Sequence, residues 1–230
     1  MYPHRLVSQA LRLGLLVTVL VLALSACGGD EKKAKARPLP EELQKALHPG
    51  TYRSEEFKPS LSFRIGKGWS TYTREAPDVL RISRGETAGF GFTNIHEVYK
   101  PTRTGTPNVV DAPEDIVGWF RRHPYVDTTE PEPTTVGGVE GVQFDVIVED
   151  LPRGHRGLCL GISGADCVDI ARFGDEQILL LPKVAKARLI VLKGVEGETV
   201  TMFFGSPKDE FDEFAPEAQK VVDSVKWRGS

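Results

Sequence analysis

Residues Thr134–Val148 read TTVGGVEGVQFDVIV, and this stretch decides how the rest of the chain is read. Phe144, Val146 and Val148 alternate with Gln143, Asp145, Ile147 and Glu149. A period of two places one set on each face of a strand. Gly137-Gly138 just before it is a turn signal, because glycine enters the left-handed region without a Cβ penalty. The pair therefore predicts a hairpin between Thr134–Val136 and the strand through Phe144.

The same pattern recurs on both sides. Leu61, Phe63 and Ile65 alternate with Ser62 and Arg64, and Gly66-Lys67-Gly68 turns the chain into Trp69. Leu80 and Ile82 mark another strand, and Ala88–Tyr99 a third, anchored by Phe90, Phe92 and Ile95. Gly89–Gly91 (GFG) inside it reads as a bulge or a close backbone approach, not as a phosphate loop. Leu189 and Val191, then Val200, Met202 and Phe204, flank Val195-Glu196-Gly197-Glu198, a hairpin with a four-residue loop. Two helices are expected. One is capped by Asp111, with Pro113 in its first turn and Glu114 completing a capping box; Ile116, Val117 and Phe120 form its stripe and Pro124 ends it. The other begins at Ser206-Pro207, carries Phe211, Phe214, Ala218, Val221, Val222 and Val225 at helical spacing, and is split by Pro216. Hairpins dominate, so the fold class is α+β: an antiparallel β-sheet covered by helices. The alternative is a lipocalin-like β-barrel with a ligand cavity. Phe63, Trp69, Phe90, Phe92, Phe144 and Phe204 are the expected core, or in part the lining of a pocket.

Before these strands lies an address. Met1–Ala26 has Arg5 and Arg12 ahead of the apolar run Leu13–Leu24 (LGLLVTVLVLAL), which is too short to span a bilayer and suits a signal peptide. Leu24-Ser25-Ala26-Cys27 follows and is similar to the bacterial lipobox, in which the cysteine becomes the lipidated N-terminus. Lipidation at Cys27 would anchor the chain to the membrane on the extracytoplasmic side, since two or more acyl chains give stable anchoring. Cys27–Leu47 mixes glycine, proline and charge and reads as a flexible tether, with a short helix over Glu41–Leu47; His48–Ser230 is then a single globular domain. Lys32, Lys33, Lys35 and Arg37 stand close to the expected lipid and read as solubilising charges or as contacts to anionic headgroups.

With Cys27 spent on lipid, Cys159 and Cys167 remain, flanking a glycine-rich stretch (CLGISGADC). Outside the cytoplasm this pair reads as a disulfide. The competitor is a metal site with His155 and Asp166, but Cys-x7-Cys matches no common zinc spacing. The segment Leu151–Gly174 around it reads as a long stapled loop, either a recognition loop or a tamed insertion.

The run Phe57-Lys58-Pro59-Ser60-Leu61-Ser62-Phe63, followed by Gly68-Trp69, resembles the opening of small bacterial lipoproteins with a Mog1/PsbP-like fold, the LpqN type. The resemblance implies a binding or assembly role and supplies no catalytic residues. The Cys159–Cys167 stretch is not part of that general pattern.

Chemistry-bearing motifs are few. The 230 residues carry 29 Lys+Arg against 32 Asp+Glu, a formal charge of −3, which argues against a nucleic-acid binder. Gly161–Ala165 departs from the G-x-S-x-G elbow at Ala165. His48, His96, His123 and His155 form no metal-binding spacing. Glu149-Asp150 reads as a solvated loop, and Asp209-Glu210 as the acidic start of a helix. No catalytic residue, cofactor or metal is assigned. The expected function is a non-catalytic envelope lipoprotein that binds a partner protein or a small apolar ligand. The alternatives are a secreted hydrolase built on His96 or His123 with a carboxylate, and an assembly accessory of the envelope.

Overall fold

The computed structural model describes residues 35–103, 108–149, 151–153, 155, 157–158, 166–174 and 177–228. Apart from Lys35, these fall in one compact unit, Ala36–Ser230. In chain order the strands and helices are β1 (Arg37–Pro38), β2 (Gly50–Arg53), β3 (Leu61–Ile65), β4 (Trp69–Thr71), β5 (Val79–Arg84), β6 (Ala88–Asn94), β7 (Glu97–Tyr99), β8 (Val109–Asp111), α1 (Ile116–Arg121), β9 (Val126–Thr128), β10 (Glu132–Val136), β11 (Val139–Val148), β12 (Cys167–Phe173), β13 (Gln177–Pro182), β14 (Ala185–Val195), β15 (Glu198–Pro207), α2 (Phe211–Val222) and β16 (Lys226–Trp227).

A central antiparallel sheet runs β10-β11-β14-β15-β6-β5-β4, with β9 also paired to β11. Along β14, Ile190 and Leu192 face one core while Ala187, Leu189 and Val191 face another. The sheet is thus buried on both sides, and each side needs a cover. On one side the cover is the small sheet β1-β2-β3-β16 together with α2; Phe63, Trp69, Phe90, Phe92 and Phe204 pack there with Phe211 and Phe214. On the other side it is the small sheet β13-β12-β7-β8 with α1, where Phe144, Val146 and Val148 meet Ile170, Phe173 and Phe120. The expected core aromatics are all buried, five in the first core and Phe144 in the second.

Antiparallel sheets are as expected, but the covering is done mainly by strands: the described residues contain two helices. Nor does the central sheet close into a lipocalin-like barrel. Its β4 edge is taken by residues 44–47, where the Gln44 and Leu47 amides donate to the Thr71 and Trp69 carbonyls at 3.0 and 2.8 Å. Its β10 edge carries Pro133, which has no N–H to offer a closing strand.

The folded unit begins at Ala36, ahead of the expected His48. Arg37 pairs in parallel with Tyr52, its guanidinium donates to the His48 and Pro49 carbonyls, and Leu47 is buried. An open sheet edge and an apolar side chain draw this segment onto the domain. Gln44 sits at φ 54°, so Glu41–Leu47 is not a helix.

The hairpin at Gly137-Gly138 forms as expected, with Val136 opposite Val139 and both glycines at positive φ (57° and 87°). The loop at Glu196-Gly197 is tighter than expected: Val195 pairs with Glu198, leaving two turn residues, both at positive φ. Asp111 joins the ladder opposite Glu97, so the helix cap passes to Asp115, whose Oδ1 accepts from the Gly118 amide at 2.8 Å. Pro216 lies within α2 without splitting it. An interior proline costs about 3 kcal/mol, and the buried stripe of Phe211, Phe214, Ala218, Val221 and Val222 offsets it. Residues 88–99 are two strands: β6 belongs to the central sheet and β7 crosses to the small one. Part of the expected loop 151–174 is β12, buried along most of its length.

Trp227 closes the structure. Its indole N–H donates to the Val136 carbonyl at 3.0 Å, and a Cβ on Gly137 would come within 2.8 Å of the indole ring and 3.1 Å of the Val225 carbonyl. Gly137→Ala therefore combines an unfavourable φ with a clash, and should destabilise by about 1–3 kcal/mol. Urea unfolding of the two proteins checks it; equal midpoints would mean that the turn and the indole are not in this contact.

Candidate functional site

Two of the buried polar residues, His123 and Asp169, lie where the second small sheet meets the central one, near the chain that leaves α1. His123 follows that helix and is 5% exposed. Its ring packs on Trp119 (centroids 5.0 Å apart) and Tyr125 (5.9 Å), and Tyr125 in turn packs on His155 (5.3 Å). His123 Nδ1 accepts from the Tyr125 amide at 3.3 Å. The ring proton of the neutral form is thereby placed on Nε2. That Nε2 is enclosed and has no partner among the described residues, and the same holds for His155 Nδ1. Burial, and then the charge of His155, press the His123 pKa down to about 4.

Asp169 enters the same region from β12. The β12–β13 ladder shifts register between Asp169 and Ala171, and a bulge of this kind re-aims the flanking side chain. Asp169 is largely buried, and its Oδ1 accepts from the Leu158 amide at 2.7 Å. Burial raises its pKa, against the Leu158 N–H and His155, which lower it. Tyr99 is raised as well, by burial first and then by the Asp169 charge. Segment 157–158 seats directly on β12: a Cβ on Gly157 would meet the Cys167 carbonyl at 2.5 Å and Sγ at 2.6 Å. Nearby, Arg172 grips Glu97 with two bonds of 2.9 Å, which holds that carboxyl below its usual range.

This arrangement is a neutral His123 imidazole in an aromatic box, with His155 next to it and the buried Asp169 carboxyl and Tyr99 phenol in the same region. It can sense protons and hold a hydrogen-bonding group. Among the described residues no set of three or more His, Cys, Asp or Glu is placed to hold a metal ion. A shallow depression of about 370 Å³ on α1 is lined by Asp115, Val117, Gly118, Arg121 and Arg122, but its cations are engaged: Arg121 with Glu130 at 2.8 Å and Arg122 with Asp115 at 3.6 Å.

The sequence-derived candidates fall as follows. Cys27, Cys159 and Gly161–Ala165 lie outside the described residues, as does Asp150. Cys167 opens β12, fully buried, and is not a free thiol. His96 is exposed and stands 3.3 Å from Asp78, on the surface and not in a cleft. His48 is exposed, and Glu210 sits at the N-terminus of α2. His123 and His155 come together although 32 positions apart in the sequence, so spacing gave no signal of it. Gly91 is a close backbone approach, as GFG suggested: a Cβ there would meet the Phe203 ring at 2.6 Å.

No protein-family model matches the chain, and no curated protein matches it. Solved structures are similar to it at low identity. One is a crystal structure from Bacteroides thetaiotaomicron VPI-5482, with 11% identity and a TM-score of 0.36 over 74% of this chain; the chain spans only 46% of that one. The solution structure of cyanobacterial PsbP (CyanoP) from Synechocystis sp. PCC 6803 shows 12% identity and a TM-score of 0.38, covering 79% of this chain and 94% of that one. LpqN of Mycobacterium tuberculosis, described as involved in cell envelope biogenesis, shows 9% and 0.34, covering 80% and 89%. PsbP and LpqN are the proteins whose fold the opening motif resembles.

The depressed His123 pKa makes stability depend on pH. Unfolded, this histidine takes a proton near pH 6.5; folded, it does so only near 4. Its contribution is complete above pH 6.5 and is lost as pH falls toward 4, by about 3 kcal/mol. Asp169, raised in the fold, works in the opposite sense. Urea midpoints between pH 7 and pH 4.5 should therefore fall in the natural protein and fall less in His123→Phe. Parallel slopes would show that His123 is not held neutral by burial.

Proposed function

We propose that this is a lipid-anchored envelope protein whose folded domain works outside the cytoplasm as a non-catalytic binding module. The observation that carries the reading is Leu24-Ser25-Ala26-Cys27, which closes a twelve-residue apolar run ending at Leu24 and places Cys27 nine residues before the folded unit begins at Ala36. A diacylglyceryl group joined to the Cys27 sulfur as a thioether would hold the domain by burial of its acyl chains, at roughly 0.8 kcal/mol per methylene. Among the described residues no helix is long and apolar enough to cross a membrane. Residues 28–35, eight in number, reach at most about 29 Å when fully extended. The anchor thus keeps the domain close to the bilayer surface, where it meets envelope proteins or small molecules.

Export also explains the remaining cysteines. A lipidated Cys27 cannot pair, which leaves Cys159 as the partner of Cys167. The bridge would tie the start of β12 to the chain that approaches it.

Two experiments check this. Cys27→Ala should move the protein from the membrane to the soluble fraction and abolish incorporation of labelled palmitate; an unchanged distribution would refute the anchor. Reduction should add two hydrogens to the intact mass and lower unfolding free energy by about 2.5 kcal/mol, the loop-entropy value for a ring this size. A mass unchanged by reductant would refute the bridge.

A further inference from the structure

The small sheet β1-β2-β3-β16 turns one face to the core and the other to water. Tyr52, Leu61, Phe63, Ile65 and Trp227 are buried in the core. Their neighbours along each strand point the opposite way: Thr51 and Arg53 on β2, Ser62 and Arg64 on β3, Lys226 on β16. The ladder fixes how these sit on the outer face. Arg53 is opposite Ser62, Ser62 is opposite Lys226, and Thr51 is opposite Arg64. The row from Arg53 to Lys226 is therefore two strand spacings wide, about 10 Å. Ser60 continues the outward set of β3: its carbonyl accepts from the Arg228 amide at 2.8 Å, and its Oγ from Lys58 Nζ at 3.4 Å. Lys58, Arg64, Lys226 and Arg228 are all exposed.

Nearby carboxylates answer only part of this charge. Glu55 accepts from Arg53 Nε at 2.6 Å. Glu75 is turned to the amides of Glu55, Glu56 and Phe57. Asp223, at the end of α2, accepts from Gln219 Nε2 at 2.8 Å, and Glu56 is exposed. Among the described residues, Lys58, Arg64, Lys226 and Arg228 form no ion pair. The excess of positive charge here runs against the balance of the chain, which beyond Cys27 has 27 basic groups against 32 acidic ones. The hydroxyls of Thr51, Ser60 and Ser62 stand between the cations, and the large exposed apolar side chains (Leu43, Tyr72, Val110 and Val184) belong to other segments. Such a face suits polar, anionic headgroups and not the acyl chains beneath them.

The chain enters the domain beside the same row. Arg53 Nη1 donates to the Ala36 carbonyl at 2.7 Å, and Pro38 lies opposite Arg53 in the β1–β2 ladder. Eight residues separate Ala36 from Cys27, with Lys32, Lys33 and Lys35 among them. A lipid on Cys27 thus holds this edge of the sheet within about 29 Å of the bilayer. Once the face comes within a Debye length, about 8 Å, each Lys or Arg favours contact with an anionic surface about fivefold.

We propose that the outer face of this small sheet is the domain's membrane-docking surface, with Lys58, Arg64, Lys226 and Arg228 lying on anionic lipid headgroups. Docking in this way sets the orientation of the domain: the basic sheet faces the bilayer, and the second cover, on the far side of the central sheet, faces away from it. The proposal rests on the lipid anchor at Cys27, and its test scores the two separately.

The lipidated full chain is placed on vesicles of phosphatidylcholine alone, or with about 30% phosphatidylglycerol to supply the anionic surface. Flotation with the neutral vesicles reads the anchor. Brief acetylation with a neutral amine reagent, read by mass spectrometry, then reports the face. Lys58 and Lys226 should react at least fivefold more slowly on the anionic vesicles than on the neutral ones. Lys193, on the opposite side of the central sheet near Asp115, should react alike on both. About 0.5 M NaCl should abolish the difference, because it screens the contact. In Arg64→Gln/Lys226→Gln, both exposed positions, Lys58 should lose most of its protection while the thermal midpoint in detergent stays that of the natural protein. A chain that does not float with the neutral vesicles would sink the anchor and this proposal with it. A chain that floats with both while Lys58 and Lys226 react equally would overturn the docking face alone. So would protection that survives salt, or protection of Lys193 as strong as that of Lys58; the face would then be a solvated one, or one that meets a partner other than lipid.

Discussion

Everything in this domain follows from one strand that must be dry on both sides. On β14, Leu189, Ile190, Val191 and Leu192 are consecutive and all almost fully buried. Consecutive residues point to opposite faces, so neither face of the sheet can be left to water at β14. The two small sheets and two helices are the response. Each brings its own apolar row: Phe63 and α2 on one side, Ile170, Phe173 and α1 on the other. Trp227 then fastens the chain's end to the hairpin at Val136.

A sheet covered on both faces offers no broad open surface, so polar chemistry is confined to seams and edges. That is where it is found. The His123–Tyr125–His155 row lies between the central sheet and its second cover, and the start of the domain is zipped to the β4 edge. The same seam takes the first residues of β12, next to the segment expected to be stapled. The histidine row and the start of β12 therefore share one interface.

How much of this was legible depends on which physical signal each element carries. Strands with one wet face announced themselves by alternation: Leu61–Ile65 and the strand through Phe144 are where the pattern placed them. Strands dry on both faces lose that alternation. That is why Leu189 and Val191 give a strand signal without Ile190, and why Cys167–Phe173 reads as part of a loop. The turns at Gly137 and Gly197 are visible because positive φ favours glycine; the loop at 196–197 differs from the expectation only in length. The cap at Asp115 was missed because Asp111 offered an equally good local signal and tertiary pairing decided between them. Of the candidate sites, Gly91 was legible as a close approach. The two histidines were not, because they come from segments far apart in sequence.

The claim on which the rest hangs is that both covers are integral to the fold, not flaps over a self-sufficient sheet. Native-state hydrogen exchange tests it most directly. The account predicts that amides of Val168–Phe173 in one cover and of Tyr52 and Phe63 in the other exchange as slowly as those of Ile190–Leu192, through global unfolding alone. Cover amides that exchange by a separate, lower-energy opening while β14 stays protected would contradict it.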